Sequence, residues 1–110
     1  MREIKFRAWD KLNNEFVCNS WLIGNFNYAI KTNSIIIMQY TGLKDKIGVE
    51  IYEGDIVEFY FRATRMVDTV EFADGCFFFM SDIGSGAYAS RYNEICTVIG
   101  NIYENKELLK

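Results

Sequence analysis

The chain contains no histidine. Without it no Ser-His or Cys-His pair and no His-ligated metal can be assembled, so the commonest general base and the commonest transition-metal ligand are both excluded. Proline is absent too, although average usage would place around five in a chain of this length. Cysteine is sparse. Cys18, Cys76 and Cys96 form an odd set with no Cys-x-x-Cys spacing, which reads as reduced, mostly buried thiols. The longest apolar runs, such as Ile35–Met38, fall far short of the ~20 residues a membrane span needs. Met1-Arg-Glu-Ile leads straight into a patterned segment, so no signal peptide is expected, no membrane association, and a cytoplasmic location. Net basic charge is missing as well: a formal charge of −3 and a pI of about 4.9 give no general attraction to nucleic acid or anionic lipid. Neither a long stretch of 3.6-residue periodicity nor a longer internal repeat occurs.

What is present is a core former. Half of the residues are hydrophobic and 16% aromatic, which argues against disorder. The 110 residues are read as one domain, 1–110, long enough to bury its own core. Period-two alternation dominates. In "EIKFRAWD", Ile4, Phe6 and Ala8 point one way and Lys5, Arg7 and Trp9 the other. Asn13-Asn14 turns the chain, and "FVCNSWLI" is expected as the partner strand of an N-terminal hairpin. "GNFNYAIKTN" stays open between loop, strand and helical turn. "SIIIMQY" should be a buried strand ending at Thr41-Gly42. "DTVEFADGCFFFM" reads as a hairpin closed by Asp74-Gly75 in a type I′ turn. "DIGSGAYASRYN" should be a mobile surface loop, and it lacks the lysine of a phosphate-binding P-loop. Gly100 suggests a bulge, and Asn105 caps a short terminal helix over "KELLK". The fold class is mainly β: a small, strongly bent sheet or partly closed barrel with a short C-terminal helix.

The densest stretch is "QYTGLKDKIGVEIYEGDIVEF", Gln39 to Phe59. Gly42, Gly48 and Gly54 punctuate it, Asp45 can bond the backbone two residues on, and Asp55 can tie down loop amides beside a bend at Gly54. A cation site from Asp45, Glu50, Glu53, Asp55 and Glu58 lacks the spacing of a calcium loop. The structural reading is preferred, and no cofactor and no metal are expected.

"MREIKFRAWD", "MQYTGLKDKIGVEIYEGDIVEF" and "VIGNIYENKELL" together resemble the YopX family, small proteins of phages and prophages of low-GC Gram-positive bacteria. The resemblance implies a β-rich phage accessory protein and supplies no catalytic residue to carry over. The chain departs from the family pattern at Ile47 and Val49, where Asn and Lys are more typical, and at Lys106, where proline often opens the final helix.

Two surfaces are candidates for function. Arg2, Lys5 and Arg7 around Trp9, with Lys11 and, further on, Arg62 and Arg65, could track a phosphate backbone while the indole stacks a base. The apolar triplets Phe59-Tyr60-Phe61 and Phe77-Phe78-Phe79 carry bulky rings on both faces of their strands, so both faces need cover, from the chain or from another copy. Phe59, Phe61, Phe77 and Phe79 are therefore candidate interface residues, and a homo-oligomer is expected. The leading expectation is a non-enzymatic protein-interaction module binding a host or phage protein; a nucleic-acid-binding small barrel is the alternative.

Overall fold

A computed structural model describes residues 3–81 and 86–109. The alternating segments form β1 (Phe6–Asp10), β2 (Glu15–Phe16), β3 (Ile35–Lys44), β4 (Glu50–Tyr52), β5 (Asp55–Phe61), β6 (Thr64–Ala73), β7 (Cys76–Met80), β8 (Gly86–Tyr88) and β9 (Thr97–Asn101). Three short helices join them: α1 (Asn19–Gly24), α2 (Phe26–Lys31) and α3 (Ala89–Tyr92). Strand takes 49% of the described residues against 22% helix, so the fold is mainly β. One sheet has the order β2-β1-β3-β4 and the second, a strongly curled half-barrel, the order β8-β7-β6-β5-β9. The C-terminal helix is a single 3-10 turn over Lys106–Leu109.

The curled sheet buries Val57, Phe59, Val70 and Phe79 against Ile51 of β4, Ala89 of α3 and Cys96. Its other side is covered in part by the terminal turn, which packs on β6. Ile56 and Val57 are consecutive, face opposite sides, and are both fully buried. The chain thus supplies cover on both faces at that end. A second, smaller core joins Ala8 of β1 to Leu22 and Ala29 of the helices, with Ile35 and Ile37 of β3 packed against it.

Several local expectations hold. Asn14 adopts φ 53° in the first turn, Asp74-Gly75 (φ 51° and 78°) closes the β6–β7 hairpin, and the β5–β9 register shifts opposite Gly100. Asp45 Oδ1 accepts from the Ile47 and Val49 amides at 3.0 and 2.9 Å, beside Gly48 at φ 89°.

Others are corrected. The hairpin partner that follows β1 is only Glu15–Phe16, and residues 19–24 are helical. Leu22, Phe26 and Ala29 lie at i, i+4 and i+7, a helical spacing split by Gly24-Asn25 into two short pieces. Thr41-Gly42 does not end β3. The strand runs on to Lys44 through a register irregularity, with Gly42 at φ 85° and the Thr41 hydroxyl donating to the Ile51 carbonyl at 2.8 Å. The expected loop at 82–93 is only partly described, residues 82–85 lying outside the described residues. Its remainder is β8 and α3, ordered because Tyr88 stacks on Phe78 at 5.1 Å and Ala89 is fully buried. Asn105 is not a side-chain cap: its Oδ1 accepts from the Asn101 amide behind it at 3.1 Å. The β5–β6 hairpin turns through Arg62 and Ala63, both at positive φ, where no glycine or asparagine signals it.

Candidate functional site

Alternation places Lys5, Arg7 and Trp9 on one side of β1, as the sequence implies; Arg2 lies outside the described residues. Folding then takes up each of the three. The Lys5 ammonium pairs with Glu50 and lies 3.5 Å from Glu3. Arg7 Nη2 donates to Asp55 Oδ1 at 2.5 Å, and its guanidinium sits over the Tyr52 and Phe16 rings at 4.6 and 5.0 Å. Trp9 is only 4% exposed, edge-on to Phe16 at 5.1 Å and stacked on Tyr103 at 6.2 Å. It has no free face for a base. Further along, Arg65 Nε donates to Glu58 at 2.6 Å, and Arg62 lies over its neighbour Phe61. The basic strand is a buttress between the two sheets.

Electrostatics follow this geometry. The hydrogen bond from Lys5 holds the Glu50 carboxyl below its ordinary range and raises the Lys5 ammonium. Burial pushes the Asp55 carboxyl up, opposed by the Arg7 guanidinium and by the Tyr52 amide that donates to it at 2.7 Å. Burial also lifts the Cys96 thiol to about 12, far from a reactive thiolate. Cys18, by contrast, is exposed, where a buried thiol was expected. The acids weighed as a cation site do not converge. Asp45 holds three amides, including that of Val98 at 2.9 Å, Glu53 accepts from the Gln39 amide at 3.2 Å, and Glu50, Asp55 and Glu58 each face a cation.

The candidate interface rings divide. Phe59 and Phe79 are buried in the protomer's own core, their ring centroids 5.9 Å apart and Phe59 stacked on Tyr92 at 5.1 Å. They are not available to a partner. Phe77 is half-buried, edge-on to Phe72, and Phe61 remains 44% exposed. Strand alternation assigned these rings to one face correctly, but that face is the inside of the half-barrel.

A surface that the ring pattern did not reveal lies on α1 and α2. From Phe16 to Ile30 the sequence has no Asp, Glu, Lys or Arg, in a chain that is 25% charged. Leu22 and Ala29 turn inward, while Trp21, Ile23, Tyr28 and Ile30 stay exposed, Ile23 at 83%. Trp21 and Tyr28 meet edge to face at 6.1 Å. Near α1 a groove of about 470 Å³ is lined by Ile4, Lys5 and Phe6 of the N-terminal segment, Leu22 and Ile23 of α1, and Phe26 and Tyr52. The charge gap was the sequence signal for it.

Among the described residues no helix is long and apolar enough to cross a membrane. Among curated proteins none matches the chain. A solved structure described as the crystal structure of protein EF1440 from Enterococcus faecalis is 30% identical and aligns over 100% of both chains with a TM-score of 0.69. The profile of a family described as YopX protein matches residues 18–110, from the uncharged surface to the C-terminus. The chain belongs to the YopX protein family.

Proposed function

We propose that this protein is a non-enzymatic protein-interaction module of phage or prophage origin, working in the host cytoplasm and self-associating as part of that role. The observation that carries the reading is the uncharged stretch Phe16–Ile30, which leaves Trp21, Ile23, Tyr28 and Ile30 exposed on α1 and α2, with Trp21 edge to face on Tyr28. Depletion of charge with enrichment in aromatic side chains marks the centres of protein interfaces. A nucleic-acid role would require Lys5 and Arg7 to leave Glu50 and Asp55, and it is not favoured.

The test compares the protein with Trp21→Asp in nuclease-treated host lysate and in light scattering. Wild type is expected to retain a defined protein partner after nuclease treatment and to exceed the monomer mass at micromolar concentration; the variant is expected to lose the partner. Capture that disappears with nuclease, or that the substitution leaves unchanged, overturns the reading of this surface.

A further inference from the structure

Building on that reading of the α1–α2 surface, we propose that the N-terminal end of β1, where β2 leaves the edge at Phe6 unpaired, receives an extended segment of a partner protein as an added strand. On one side β1 pairs with β3 along its whole length, from Phe6↔Gln39 to Asp10↔Ile35. On the other it pairs with β2 at Trp9 and Asp10 only, followed by the Val17 amide donating to the Ala8 carbonyl at 2.9 Å. Backbone groups of an antiparallel strand alternate between its two edges. The Lys5 carbonyl faces β3, accepting from the Tyr40 amide at 2.9 Å, so Phe6, like Ala8, directs its amide and carbonyl to the opposite edge. There the chain has already left strand for α1, and these groups have no partner among the described residues.

The groove of about 470 Å³ follows this gap. Lys5 and Tyr52 line it on one face of β1, Ile4 and Phe6 on the other, and Leu22 and Ile23 of α1 stand across from them. A groove that wraps both faces of an open strand edge fits a strand. A helix or a lipid surface would bury the Phe6 amide and carbonyl unsatisfied. Native edges are guarded by lysine, proline or bulges; here proline is absent and the Lys5 ammonium is tied to Glu50 and Glu3. The two walls also set the chemistry of the guest: every second residue apolar, against Leu22 and Phe6, and the others polar, against Lys5 and Tyr52.

The test uses hydrogen exchange of the isotope-labelled protein with a panel of short synthetic peptides alternating Val, Ile or Phe with Thr or Ser. Each is also made N-methylated along one edge or the other. At least one unmodified peptide is expected to slow Phe6 amide exchange by roughly tenfold or more. Methylation of one edge should abolish this while methylation of the other leaves it. If no peptide slows Phe6 at millimolar concentration, or both methylated forms act alike, strand addition is overturned. Lysate capture that still depends on Trp21 would then leave the interaction reading standing, so the two failures are separable.

Discussion

Arg7 of β1 meets Asp55, the first residue of β5, across the joint between the two sheets. Its side chain is 21% exposed and that of Asp55 only 2%, so the pair is largely desolvated and Asp55 compensates a cation that cannot escape to water. Arg7 Nε is buried with no hydrogen-bond partner among the described residues. Removing one member of a buried pair is far costlier than replacing the pair by apolar groups. Asp55→Ala is therefore expected to lower unfolding stability by about 3 kcal/mol, and adding Arg7→Met to recover part of that loss, the Tyr52 amide that Asp55 accepted remaining unpaired. The methionine would fill the slot between Phe16 and Tyr52, next to Met38. Urea unfolding of both single variants and the double variant checks it; additive losses would count against the coupling. The sequence displayed a positive charge at position 7, and the long-range carboxylate opposite it could not be read from alternation.

At the scale of elements, the two tight hairpins of the curled sheet form a natural comparison. Asp74-Gly75 supplies its positive φ angles with residues that tolerate them, and the turn was legible for that reason. Arg62 and Ala63 adopt φ 50° and 67° with side chains that do not favour them, because β5 and β6 pair through to Phe61↔Thr64 and leave only two residues to reverse the chain. Tertiary pairing overrides local preference there. Ala63→Gly is expected to stabilise by about 1 kcal/mol and Gly75→Ala to destabilise by a similar amount. Matched thermal and urea unfolding of the two variants would show opposite signs. Equal signs would mean that these turns are not strained in the way their dihedrals imply. The same competition explains β2: a long partner strand would have kept Leu22 and Ala29 from covering Ala8, so the chain leaves the sheet and becomes helical.

Across the whole molecule, the two sheets are held by a backbone clip as well as by Arg7. Gly54, at φ 87°, donates to the Val70 carbonyl of β6 at 2.8 Å and accepts from the Ile102 amide at 2.9 Å, while the neighbouring Glu53 amide donates to Gln39 of β3 at 2.9 Å. A Cβ at position 54 would lie 3.0 Å from Met38 Sδ. With these bonds and the Arg7–Asp55 pair crossing the joint, the sheets should open together. Native-state hydrogen exchange is expected to give the Met38 and Val70 amides the same opening free energy, equal to the global value. A gap of about 2 kcal/mol or more between them would mean that the sheets unfold separately.

Composition and alternation were enough to determine the mainly β class, the Asp45 and Asp74-Gly75 turns, the bend at Gly54 and the lack of histidine chemistry, because each depends on a residue and its immediate neighbours. They also placed Phe77 with Phe79, and Lys5 with Arg7 and Trp9, since side-chain direction in a strand has a period of two. Only the tertiary structure decided which face is inside. It put Phe59 and Phe79 in the core, walled Trp9 behind Phe16 and Tyr103, neutralised Lys5 and Arg7 with acids more than forty positions away, and left Trp21 and Ile23 facing outward. Burial and charge pairing are set by contacts between distant segments, and periodicity along one segment carries no information about what arrives from another.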